Sequence, residues 1–124
     1  MMQVLVVAAG GAVGAVLRYG MGNAAQAMLG RGFPYGTLSV NVLGSLLIGG
    51  FYVLLVERAA LAEEWRLALI VGVLGSFTTF SSFSLETLEL IEKGAAGLAF
   101  SNVLLNVVLC LGACWLGLIL ARQL

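Results

Sequence analysis

Histidine is absent from the 124-residue chain, and charge is scarce: six basic and six acidic residues make up 10% of it. Without histidine the chain lacks the usual proton shuttle and the commonest metal ligand. A formal net charge of zero excludes the basic footprint that nucleic acid requires as a partner. Proline occurs once and cysteine twice. Cys110 and Cys114 fall one turn apart in one apolar run, where they read as small polarizable residues rather than as a structural disulfide. They do not reveal a redox compartment. No phosphate-binding glycine loop, metal-ligand cluster or catalytic constellation is visible, so the chain does not read as an enzyme.

Apolar residues are what the chain has in excess. They form 61% of it, and the mean hydropathy is +1.09, whereas a soluble domain keeps roughly a quarter of its residues charged. A helix crossing ~30 Å of hydrocarbon needs about 20 apolar residues. Four such segments fit, over residues 3–29, 36–56, 67–91 and 97–121, and the whole of 1–124 reads as one four-helix transmembrane domain. Gly30 to Pro34 punctuate the first turn. The charged stretch from Glu57 to Arg66 returns the chain, and Glu92, Lys93 and Gly94 make the last link. The first segment has no basic leader and no small-residue cleavage site, and reads as a retained helix.

Seventeen glycines in so apolar a chain point to close helix contacts, because helices in lipid associate through small residues. Gly10 and Gly14 have GxxxG spacing, widened by Gly11 and Ala15. Gly44, Ser45, Gly49 and Gly50 do likewise in the second segment. Lys and Arg are nearly balanced across the two sides: Arg58, Arg66 and Arg122 against Arg31, Lys93 and, if it reaches that interface, Arg18. Orientation follows this bias, so a chain without bias is expected to insert both ways up and to allow an antiparallel dimer.

Polar residues inside a membrane bundle default to functional hypotheses. Thr37, Asn41 and Ser45 stack on one helical face. The Asn41 amide could offer two donors to an anion, or it could be interhelical glue. Asn106, Cys110 and Cys114 repeat the spacing in the fourth segment with weaker donors. The third segment is the most informative. Between Gly72 and Ser84 it carries Gly75, Ser76, Thr78, Thr79, Ser81, Ser82 and Ser84, hydroxyls that bond back to the preceding turn and bend helices and glycine that weakens them. A broken helix is expected near mid-membrane, tolerated only where buried protein or a cavity satisfies the freed backbone. Phe80 and Phe83 share a face amid these hydroxyls. The positive edge of an aromatic ring, turned into a narrow passage, favours an anion.

Three runs, Gly10-Gly11 through Gly14-Ala15 to Arg18-Tyr19, Gly36-Thr37-Leu38 through Asn41 to Gly44-Ser45, and Gly75 through Thr78-Thr79-Phe80-Ser81-Ser82-Phe83-Ser84, resemble the Fluc/CrcB family of bacterial fluoride channels, and the resemblance covers almost the entire chain. It implies an antiparallel homodimer in the bacterial inner membrane with two fluoride pathways and one structural sodium ion at its centre. Asn41, Phe80 and Phe83 would line the pathways, with Thr79, Ser81 and Asn106 on the same polar track. The backbone carbonyls of Gly75 and Thr78 would hold sodium. Arg18 would attract anions to a pore mouth, or it snorkels to the interface in the ordinary way. The chain departs from the family at Asn106, Cys110 and Cys114, where hydroxyl residues, or a larger polar group at the start, are usual. Glu86 matches a common family acid, and an acid beside an anion path has no evident role.

The resemblance implies passive export of fluoride that enters as hydrogen fluoride and is trapped in the less acidic cytoplasm. Two other readings are weighed against it. A dual-topology proton-coupled drug exporter needs a carboxylate deep in the bundle, but Glu86 and Glu89 lie towards the end of the third segment. A non-transporting structural subunit would explain the glycines but not the polar ladder.

Overall fold

A computed structural model describes residues 1–124 and contains only helices and connecting turns. Helix α1 is Met2–Leu29, α2 is Tyr35–Glu57, and α5 is Ala96–Gln123. Between them the third span, Glu63–Glu92, divides into α3 (residues 63–77) and α4 (Phe80–Glu92). All four spans are long and apolar enough to cross a membrane. A 28-residue helix such as α1 extends about 42 Å at 1.5 Å per residue, more than the ~30 Å of hydrocarbon.

The third span begins four residues before the expected start at 67. Glu63 and Glu64 occupy the first turn of α3, where acidic side chains complement the positive end of the helix dipole, and Arg66 pairs with Glu63 at 3.0 Å. Charge that reads as a link in sequence therefore belongs to a helix start. The π-helical geometry of Leu67–Leu74 and of Val53–Glu57 was also unanticipated. Such wide turns are rare and tend to occur at functional sites.

The expected glycine contacts are present and can be assigned to partners. A Cβ on Gly10 would strike the Ala68 carbonyl, and one on Gly14 the Val73 carbonyl, so α1 lies backbone to backbone on α3. Gly49 and Gly117 meet the backbones of Cys114 and Leu46 and bring α2 equally close to α5. Gly50 is the exception, with open space where its Cβ would stand. The α1–α2 turn is closed by one side chain: Gln26 Nε2 donates to the carbonyls of Gly30 (2.6 Å) and Phe33 (2.8 Å), and its Oε1 accepts the Gly36 N–H. At the opposite end Arg122 holds Glu57 with two bonds of 2.6 and 3.2 Å, tying the end of α5 to the end of α2.

Candidate functional site

The break lies at Thr78 and Thr79, near the middle of the third span, as expected from the hydroxyl-rich run. Both residues are extended, with φ and ψ of −87° and 157° and of −151° and 118°. In a continuous helix the Thr79 N–H would donate to the Gly75 carbonyl. Here it donates to Asn41 Oδ1 at 2.8 Å, while Asn41 Nδ2 donates to the Thr79 carbonyl at 3.0 Å. One carboxamide thus replaces both backbone partners that the break removes, as a buried peptide group requires. Ser82 N–H, the helical donor for the Thr78 carbonyl, goes instead to Thr79 Oγ1 at 3.2 Å and caps α4. Both carbonyls assigned to sodium by resemblance, Gly75 and Thr78, therefore lose their helical donors at this one break.

The other sequence candidates cluster around this point. Phe80 and Phe83 open α4 with ring centroids 5.3 Å apart and planes tilted by 54°. Phe83 is only 9% exposed, whereas Phe80 is 77% exposed and turns away from the chain's own core. Ser81 is also exposed, its Oγ 3.3 Å from Thr79 Oγ1. Asn106 is buried, and its Oδ1 receives the second Asn41 hydrogen at 3.2 Å. Both donors that could serve an anion are thus already shared with the protein. Thr37, one turn before Asn41, donates to Glu86 Oε1 at 2.7 Å, and Glu86 Oε2 has no partner. Cys110 and Cys114 are free thiols, Cys110 beside Ser45.

Two open cavities approach the break. One, of about 310 Å³, runs from Arg18, Asn23 and Gln26 past Thr37 and Glu86 to Thr79 and Ser82. Arg18 is among the residues that line it and takes part in neither of the chain's two ion pairs. The other, of about 280 Å³, is bounded by Asn41, Ser45, Gly75, Thr78 and Phe80.

Asn102 and Thr87 were missed in the sequence. Asn102 is 1% exposed and bonds to both Asn106 and Thr87. The signal was available, since Asn102 extends the Asn106, Cys110, Cys114 spacing by one turn. Thr87 offers no such pattern.

A family model described as "CrcB-like protein, Camphor Resistance (CrcB)" matches residues 5–118. The chain belongs to the CrcB-like family. A protein of Methylococcus capsulatus named "Fluoride-specific ion channel FluC" is 52% identical over 123 residues, covering 99% of this chain and 54% of its own length. Proteins of the same name from Magnetococcus marinus (51% over 121 residues, 98% of both chains) and Geobacter sulfurreducens (47% over 124 residues, 100% of both) match end to end. The CrcB-like chain thus spans about half of the first relative and nearly all of the other two. These relatives are named as ion channels, not enzymes. The broken third span, Asn41 and the Phe80–Phe83 pair all lie within the matched part of this CrcB-like chain.

Proposed function

We propose that the protein is a fluoride-selective channel of the bacterial cytoplasmic membrane, working as an antiparallel homodimer. The observation that carries the reading is the break at Thr78 and Thr79, which puts hydroxyls and the Phe80–Phe83 pair next to two open cavities at mid-span, Phe80 lining one of them, in a chain about 50% identical to proteins named fluoride channels.

Fluoride holds its water tightly, so a pathway must replace that shell with donors. Ser81 and the positive edges of Phe80 and Phe83 supply them, joined by the Thr79 hydroxyl once an anion takes its hydrogen from Ser82 Oγ. Asn41 contributes by fixing the break, and an entering anion competes with Asn106 Oδ1 for one Asn41 hydrogen. Arg18 draws anions into the larger cavity. The exposure of Phe80 is the reason for a second copy: a ring on the outer face of one chain becomes a pore wall once another chain covers it. A two-fold axis in the membrane plane makes that interface isologous, and the balanced Lys and Arg count permits it. Sodium fits the donor set, because the Gly75 and Thr78 carbonyls lack their helical donors and such loose carbonyls commonly hold a cation. When bound it supplies positive charge at the centre.

Transport is passive. The inside-negative potential drives each anion outward by about 2.3 kcal/mol per 100 mV. In proteoliposomes under a potassium gradient with valinomycin, fluoride efflux is expected to be electrogenic and selective over chloride. Absent efflux, or equal chloride efflux, would overturn the reading. Lys or Arg added to one link should silence a chain expressed alone, and retained activity would remove the antiparallel arrangement.

A further inference from the structure

We propose that Thr87, through Asn102 and Asn106, sets the orientation of the Asn41 carboxamide and so acts as a positioning residue for the break. This rests on the channel reading for its functional consequence but not for its geometry. Thr87 Oγ1 has a single hydrogen, and it goes to the Phe83 carbonyl at 2.7 Å. Toward Asn102 the hydroxyl can therefore only accept, and Asn102 Nδ2 donates to it at 2.9 Å. That choice turns Asn102 Oδ1 toward Asn106, whose Nδ2 donates to it at 3.0 Å and to the Asn102 carbonyl at 2.9 Å. Asn106 is left presenting Oδ1 to Asn41 Nδ2, at 3.2 Å.

Every donation runs the same way, from the break toward the Phe83 carbonyl. An amide has a distinct donor end and acceptor end, and its orientation follows from its partners. A reversed Asn41 would set its NH2 against the Thr79 N–H and its oxygen against the Thr79 carbonyl, losing both bonds that close the break. The relay starts at Thr79 and ends at Phe83: α2 holds Thr79 through Asn41, and α5 holds the Thr87 hydroxyl that bonds back to Phe83 within α4. Asn102 and Asn106 are buried, whereas Asn41 borders an open cavity, so the inner links of the relay are the ones shielded from water.

Hydrogen exchange by NMR in lipid nanodiscs tests this without reference to flux. In the unaltered protein the side-chain amides of Asn102 and Asn106 should exchange as slowly as helical backbone amides. Exchange at the rate of an exposed asparagine overturns the relay, whatever any variant does. Thr87→Val should raise Thr79 N–H exchange roughly tenfold relative to the amides of α1, with a parallel fall in fluoride flux. Thr87→Ser should restore both. A Thr79 rate unchanged in Thr87→Val, or raised equally across all spans, assigns Thr87 a merely structural role and overturns the proposal. If the unaltered protein carries no fluoride, the channel reading fails, while the exchange rates still decide for or against the relay.

Discussion

The third and fourth spans are similar in length, at 30 and 28 residues, yet one is broken and the other runs as a single helix. Both contain glycine and polar residues, so neither residue type alone decides the outcome. The difference lies in where the backbone finds its partners. In α5 the hydroxyl of Ser101 bonds back to Gly97, and Asn106 bonds back to Asn102, both within one turn, so the ladder stays intact. In the third span Thr78 bonds back to Leu74, but Thr79 is offered an outside carboxamide with both a donor and an acceptor. In this chain the helix breaks at the one place where another element supplies the lost pair.

Asn41→Leu breaks this comparison most severely. It leaves the Thr79 N–H and C=O without partners, and buried unsatisfied groups cost about 1–3 kcal/mol each. The third span should lose its defined break, with loss of both fluoride flux and resistance to denaturation in detergent. A folded, conducting Asn41→Leu protein would show that the carboxamide does not hold the break. Gly14→Ala comes next. Its Cβ would strike the Val73 backbone, so α1 must separate from α3, and overpacking of this kind costs about 1–3 kcal/mol. The denaturation midpoint should fall, and an unchanged midpoint would mean that the two helices are not so close.

Phe80→Ile separates function from folding. The side chain is 77% exposed in the single chain, so expression and helicity should be retained. Flux should drop roughly tenfold, on the scale of the ~0.5–1.5 kcal/mol that ring-quadrupole contacts contribute. A normal rate would remove Phe80 from the pathway. The smallest effect is expected at Gly112→Ala in the unbroken span. Nothing lies within 4 Å of a Cβ placed there, and alanine improves a helix interior by up to ~1 kcal/mol. The denaturation midpoint should rise slightly. A marked loss of activity instead would place Gly112 on the face that a second copy covers.

Much of this architecture was legible along the chain. Residues 3–29, 36–56 and 97–121 match α1, α2 and α5 to within two residues at each end. The third span was read four residues too short at its start because Glu63 and Glu64 were assigned to a link. A break was legible between Gly72 and Ser84, where hydroxyls crowd an apolar run, but its place at Thr78 and Thr79 was not. Asn41 was recognised, with an anion donor and interhelical glue left as alternatives. Its actual partners are 38 residues away at Thr79 and 65 residues away at Asn106, and no local pattern reveals them.

The chain by itself determined that it crosses a membrane four times and that its third crossing is weak at the middle. Hydropathy sums along a helix, and helix weakness is a property of a few adjacent residues, so both can be read from consecutive letters. Only the folded arrangement decided which glycines meet backbone, that Asn41 closes the break, and that Asn102 and Thr87 stand behind it. A hydrogen bond depends on direction and on a separation of about 3 Å, and helix packing alone brings together residues so far apart in the chain.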